Sequence, residues 1–509
     1  MGGGTPRVEP RESFDVNKVG VGRSGLMKPT AYDTAWLARI PAEHDFSVPA
    51  FPESLDWLRQ NQNEDGSWGA EIEYVHDRVI STLITILALA EWEGSGPSGD
   101  GQDRIAIERG LTYIWEKAVQ LEHEHETIGF EVILPTLLKE CRERSFSLPL
   151  SAFARYDKMR DEKLAKIPPG LLYSRNTTLA FSLEFMGDSL DLDKTGSLQE
   201  SNGSIGVSPS ATAYFLIKQP NNGAARRYIA EIARVYGNKA PQVFPFDVFE
   251  TAWSLWNLFV AESDGRIQQN AQHVYDLKAL WERERGAGFS SVYSVVDADV
   301  SAMVLRVLRL AGLDPDPGPL YRFEQEDYFI CYSFERNPST SANIHALEAL
   351  KGIDRCCSSK VAKWLRSVQV DSSYWMDKWH ASPYYPTAHA VIALIGADCN
   401  LAKSAVQWIL DTQQPDGCWG YYGRTTVEET AYCLQALSLY DRCVEPVNRE
   451  ALVRGREGLL AHRYEMPALW IGKCLYTPVR VVESAVCSAL VMTRPYRRKP
   501  YGHPSRRLR

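Results

Sequence analysis

The sequence predicts an all-α protein made of two α/α-barrel domains, and three observations predict it. Apolar residues recur at helical spacing, as where Met303, Val307 and Leu310 share a face with Val304, Leu308 and Ala311, while strand-like alternation is scarce. Two distant segments repeat one pattern: Trp57, Gln62, Asp65-Gly66 and Trp68-Gly69 match Trp408, Gln413, Asp416-Gly417 and Trp419-Gly420 position for position. A second repeat joins Glu250-Thr251-Ala252-Trp253 to Glu429-Thr430-Ala431-Tyr432, with leucines following at equal offsets (Leu255 and Leu258; Leu434 and Leu437). Each copy of the first pattern reads as an amphipathic helix closed by an Asp-Gly turn, with an aromatic ring stacked near the Gln amide. A duplicated helical unit explains both repeats.

Taken in order, residues 1–24 are rich in Gly, Pro and charge, and Arg494 to Arg509 holds seven Lys or Arg, so both ends read as disordered tails. The apolar stretch Val79 to Ala90 is broken by Ser81, Thr82 and Thr85; it reads as a buried helix, far short of a membrane span. The amino terminus has no apolar secretion segment, so a cytoplasmic protein is expected. A chain of 509 residues with 44% apolar and 24% charged residues can bury extensive cores, and two domains is the length expectation. A net charge of -8 offers no overall drive towards nucleic acid. Nine of ten cysteines follow residue 330 without a Cys-x-x-Cys, and Cys356-Cys357 are adjacent, which predicts core thiols instead of a zinc site or disulfide framework. The 14 Trp and 24 Tyr are a surplus that wants a use.

On these repeats, and on motifs placed in the same order, the folded chain resembles the two-domain (βγ) class II diterpene cyclases, among them halimadienyl and copalyl diphosphate synthases. The motifs are Ala31-Tyr32-Asp33-Thr34-Ala35-Trp36, Asp65-Gly66-Ser67-Trp68-Gly69, His76-Asp77-Arg78, Gly129-Phe130-Glu131, Lys166-Ile167-Pro168, Asn202-Gly203-Ser204, Ser208-Pro209-Ser210-Ala211-Thr212-Ala213 and Asp297-Ala298-Asp299. The Trp/Gln/Asp-Gly/Trp repeats resemble the family's QW motifs. The resemblance implies a γ domain over 51–256 inserted into a β domain of 1–50 plus 257–509, with the active cavity between them. It also implies an isomerase that protonates an alkene of geranylgeranyl diphosphate and closes rings to a bicyclic diterpenyl diphosphate. Farnesyl diphosphate or a prenylated aromatic substrate remains open within the class, as does an unrelated glycan-processing or binding α/α barrel outside it.

The family signature Asp-x-Asp-Asp reads Asp297-Ala298-Asp299-Val300 here, which makes Asp299 the implied general acid and Asp297 its neighbour. The last carboxylate is lost, as it is in the halimadienyl branch. A model Asp has a pKa near ~3.9 and an alkene is a very poor base, so the acid must be kept neutral by desolvation and oriented by a partner. The family's orienting Asn aligns with Asn343. Aromatic faces would stabilise the migrating cation and exclude water; Trp253, Trp256, Trp375, Trp379, Tyr384 and Tyr385 are the candidates. The acidic run Glu122, Glu124 and Glu126 falls where related enzymes carry an Mg²⁺ element, and oxygen ligands suit that ion. Lys163 and Lys378 stand where family members offer lysines to the diphosphate. Phe181 and Gln242 replace the His and Asn that hold the terminal base water in plant ent-copalyl enzymes, which implies another product: a different copalyl stereoisomer, or a halimadienyl or clerodienyl skeleton. Class I metal motifs are absent from the sequence, so a separate class I synthase or phosphatase is expected downstream.

Overall fold

The computed structural model describes residues 25–93, 101–121, 126–261, 270–284, 286–333, 335, 337–461 and 465–494. In the C-terminal part, the helices Asp247–Val260, Ala298–Leu310, Thr340–Leu350, Tyr384–Leu394, Val427–Cys443 and Val479–Met492 form a closed ring. Each packs on the next in that order, and the last returns to the first. Composition explains the arrangement: Tyr384–Leu394 has no charged residue and is buried all round, as is Thr340–Leu350, whose one carboxylate, Glu348, is met by Arg306 at 2.9 Å. The outer helices are amphipathic instead. Cys399–Asp411 buries only Leu401, Ala402, Ala405, Val406 and Ile409, a single stripe against the ring.

The N-terminal part repeats the plan at smaller size. Helices Ala31–Ala38, Val75–Glu91, Phe130–Glu143 and Pro209–Lys218 close a ring together with the 3₁₀ stretch Thr178–Ser189. Pro52–Gln60, Gln102–Lys117, Leu150–Ala165 and Gly223–Tyr236 pack outside it. Two hydrophobic cores result, centred on Val79–Leu89 in one ring and on Ala298–Leu308 in the other. These rings divide the chain differently from the expected boundaries at 51 and 256. Helix Ala31–Ala38, assigned to the second domain, packs against Val75–Glu91 and Pro209–Lys218 in the first ring; Asp247–Val260, assigned to the first, is a stave of the second. The reason is side-chain supply: Trp253, Leu255 and Trp256 fill the second core, whereas Tyr32, Trp36 and Leu37 fill the first.

The repeated Trp/Gln/Asp-Gly segments have matching geometry. Trp68 Nε1 donates to Leu58 O at 2.7 Å and Trp419 Nε1 to Ile409 O at 2.6 Å. Gln62 Nε2 bridges Gly66 O and Ala106 O, both at 2.8 Å, and Gln413 Nε2 bridges Gly417 O at 2.8 Å and Ala451 O at 2.9 Å. The Gln amide is thus a hydrogen-bonded clasp between the turn and the following outer helix. Glycine is required at the turn: Gly66 and Gly417 have φ of +89° and +86°, and a Cβ would lie 2.7 and 2.6 Å from the carbonyl oxygens of Arg109 and Arg454.

A hairpin of β1 (Trp470–Ile471) and β2 (Leu475–Tyr476) links the rings. At its tip the buried Lys473 Nζ reaches Glu184 at 2.7 Å, Phe181 O at 2.9 Å and Ser208 Oγ at 2.8 Å, all from the first ring. Ile128 N donates to Gly472 O at 2.7 Å. Gly472 has no room for a side chain, since a Cβ would fall 1.7 Å from Gln242 Oε1. Among the described residues, no helix is long and apolar enough to cross a membrane. No cysteine is in a disulfide, but Cys356 and Cys443 are exposed where core thiols were expected.

Candidate active site

A cavity of about 900 Å³ lies between the two rings and takes its lining from both. Glu131, Lys163, Thr177, Phe181 and Phe185 come from the first; Phe249, Phe289, Asp297, Asp299, Trp379 and Trp470 come from the second, with the hairpin. That size lies in the upper range of small-molecule sites, and the lining is largely apolar.

The acidic end is built by the start of helix Ala298–Leu310. Asp297 is its N-cap, accepting from Val300 N at 2.7 Å, and its other oxygen accepts from Tyr332 Oη at 3.3 Å. Burial pushes the Asp297 carboxyl well above the ordinary range; the Val300 N–H works against that shift and the neighbouring Asp299 charge reinforces it. Asp299 stands in the first turn, 8% exposed, and faces the cavity. Its Oδ1 meets His345 Nδ1 at 2.5 Å, and His345 Nε2 meets His389 Nδ1 at 3.0 Å. Burial, with the nearby His345 and His380 rings adding to it, holds the His389 imidazole well below its usual pKa, so it is neutral. With His389 neutral, Asp299, His345 and His389 form a continuous hydrogen-bonded row.

His345, not Asn343, therefore touches Asp299. Asn343 is fully buried, but its amide donates to Phe329 O at 2.9 Å and Ser339 O at 2.8 Å and accepts from Phe329 N at 2.7 Å. Two residues along a helix turn the side chain by roughly 200°, so Asn343 and His345 cannot face the same neighbour.

The remaining sites divide. Phe181 lines the cavity, with its ring 6.0 Å from that of Phe289. Gln242 lines it too, but both ends of its amide are spent on the hairpin: Oε1 accepts from Lys473 N at 2.5 Å and Nε2 donates to Cys474 O at 3.1 Å. Trp379 is in the wall, next to Lys378. Trp253 and Tyr385 lie behind the wall: Trp253 stacks on Phe249 at 3.8 Å and donates to Tyr385 Oη at 2.8 Å. Trp256, Trp375 and Tyr384 are core residues. Trp256 stacks on His389, Trp375 is tied to Leu365 O and Tyr384 packs on Trp408.

Lys163 and Lys378 both reach the cavity, each with a carboxylate in hand: Lys163 with Glu131, and Lys378 with Glu335 at 2.7 Å. Glu126 lines the cavity near Glu131, whereas Glu122 and Glu124 lie outside the described residues. Among the described residues no group of three or more His, Cys, Asp or Glu is arranged to hold a metal ion. The wall residues Phe246, Phe249, Phe289, Tyr293, Trp470 and Tyr476 escaped the sequence reading, as did the contact of His345 with the acid. For His345 and His389 one signal was available. Each sits in a helix with no exposed face, where a polar side chain must find a partner.

No protein-family model matches the sequence. A type B diterpene cyclase of Mycobacterium tuberculosis is 36% identical over 486 residues, covering 91% of this chain and 95% of that protein. The chain belongs to the class II (type B) diterpene cyclases. The cyclase also resembles the bifunctional levopimaradiene synthase of Pinus taeda, at 34% identity over 316 residues, which are 60% of this chain and 36% of the pine enzyme. Among solved structures, ent-copalyl diphosphate synthase from Streptomyces platensis superposes with a TM-score of 0.76 at 28% identity, over 92% of this cyclase and 96% of its own chain. The Arabidopsis thaliana ent-copalyl diphosphate synthase shares the fold, with a TM-score of 0.69 at 23% identity over 93% of this chain and 62% of its own.

Proposed function

We propose that this cyclase protonates the terminal alkene of geranylgeranyl diphosphate and closes two rings, releasing a bicyclic diterpenyl diphosphate with its diphosphate intact. One observation carries the reading: Asp299 points into an aromatic cavity with His345 on one carboxyl oxygen and, among the described residues, no hydrogen bond on the other. Asp299 Oδ2 gives the proton, and His345 stabilises the carboxylate that remains. The cation then moves along a folded chain walled by Phe249, Phe289 and their neighbours, where water is excluded.

The polar end of the same cavity, with Lys163, Lys166 and Lys378, suits the diphosphate. Mg²⁺, if bound there, supplies charge neutralisation of the diphosphate, and Glu126 is the described carboxylate of the acidic run in position to hold it. Lys163 and Lys378 orient the anion by exchanging their present carboxylate partners for phosphate oxygens.

The product we infer is not ent-copalyl diphosphate. Phe181 cannot accept a proton, and the Gln242 amide is committed to the hairpin backbone, so neither offers the polar pair that holds a base water after bicyclisation. The S. platensis neighbour is an ent-copalyl diphosphate synthase, which makes the comparison of products informative. Release to a separate class I synthase or phosphatase follows from retention of the diphosphate. Incubation with geranylgeranyl diphosphate and Mg²⁺, then dephosphorylation and chiral gas chromatography with mass spectrometry, tests both parts. Absence of a bicyclic diterpenol removes the first, and ent-copalol as sole product removes the second.

A further inference from the structure

Trp470 stands in the cavity wall with the Phe249 ring 5.4 Å away and the Tyr476 ring 6.3 Å away. Behind the wall its Nε1 donates to Glu428 Oε1 at 2.7 Å. Glu428 is fully buried at the start of helix Val427–Cys443; the same oxygen is 3.3 Å from His380 Nε2, and Oε2 has no partner among the described residues. A buried carboxyl is costly, and one whose second oxygen goes unpaired is costlier still. Its place behind a cavity aromatic suggests what it is kept for.

We propose that Glu428 is a positioning residue that makes Trp470 the principal cation-stabilising aromatic of the cavity, with His380 fixing the carboxylate. The inference rests on the cation-forming reaction proposed above. An anion that accepts from the indole N–H, in surroundings of low dielectric, enriches the ring's π electrons and adds its own attraction for a cation beyond the ring. Indole is already the best of the aromatic side chains for this purpose. The molecule holds its own control. Trp256 Nε1 also donates to a buried carboxylate, Glu348, at 3.1 Å, but Arg306 neutralises that carboxylate at 2.9 Å and Trp256 does not line the cavity.

The test compares two probes of one shape: a geranylgeranyl thiolodiphosphate with an ammonium nitrogen at a cationic carbon, and its neutral carbon isostere. Glu428→Gln weakens binding of the ammonium probe about tenfold and leaves the neutral one within twofold, while Glu348→Gln lowers Tm and weakens neither selectively. With geranylgeranyl diphosphate, Glu428→Gln lowers kcat about tenfold at unchanged KM and shifts product towards early-terminated skeletons. Trp470→Phe, which keeps a ring and removes the N–H, loses the same preference and decides the matter if Glu428→Gln does not fold. Equal weakening of both probes, or no weakening of either, overturns the proposal. Failure of the functional reading would look different: a wild-type protein that binds the ammonium probe preferentially but forms no cyclised product.

Discussion

Replacing His345 with phenylalanine separates its role from that of its neighbours. The substitution keeps a planar ring in the space between Trp253, whose ring centroid is 5.4 Å away, and His389, at 5.1 Å. It removes a 2.5 Å hydrogen bond to Asp299 between groups that are 1% and 8% exposed. Hydrogen bonds to a charged group are worth about 1.5–3 kcal/mol, and in the proposed mechanism this one gains its charge as Asp299 gives up a proton. At about 1.4 kcal/mol per tenfold, kcat should fall about 10- to 150-fold with KM little changed. His389 Nδ1 also loses its partner, so the fold should weaken by about 1–3 kcal/mol, visible as a lower Tm without loss of helicity. Steady-state kinetics with geranylgeranyl diphosphate and a melting curve measure both. A folded His345→Phe enzyme whose kcat stays within twofold of wild type would refute the idea that His345 stabilises the conjugate base.

Asp299→Asn should abolish cyclisation while far-UV circular dichroism and Tm stay near wild type, since its one described side-chain partner is His345; substantial product from the folded variant removes the assignment. If Lys378 holds the diphosphate as proposed, Lys378→Ala should raise KM about tenfold with a small change in kcat; the reverse pattern would assign it to the chemistry instead. Glu429 gives a pH prediction. Burial raises its carboxyl to about 7, against the opposing hydrogen bonds of Ser382, Thr426 and Tyr421 N. The folded state then binds the proton more tightly than the unfolded chain, so this contribution is full below pH 4.5 and fades as pH rises through 7, by on the order of 3 kcal/mol. Wild type should therefore lose stability between pH 5 and 8 more steeply than Glu429→Gln, as denaturation at the two pH values will show; equal slopes would contradict the shift.

Elements with a periodic reason were readable from sequence, and those that depend on what meets across space were not. The helix Ala298–Leu310, the Asp-Gly turns and the twofold plan follow from spacing, because a helix face and a left-handed turn are local requirements. The domain boundaries did not follow, since Ala31–Ala38 and Asp247–Val260 are apolar helices of similar reading and only the shape of each core decides which ring takes which. Aromatic residues show the same limit. Trp253 and Trp379 are both Trp near the site, yet one stacks behind Phe249 and the other stands in the wall. Composition announces a supply of rings without saying which will face the cavity.

The altered signature and the acid's partner belong to one arrangement. Val300 lines the cavity at the place of the lost carboxylate, and its backbone N–H is already used by Asp297. A third carboxylate there would add negative charge beside Asp297 and Asp299 and oppose formation of the Asp299 anion that proton transfer requires. An apolar Val300 removes that opposition and extends the water-excluding wall up to the acid. Orientation must then come from the other side of Asp299, and helix Thr340–Leu350 supplies it with His345, backed by the neutral His389. The lost Asp is thus compatible with the proposed proton donation by Asp299, whose carboxyl is met by an imidazole pair that no position of the signature contains.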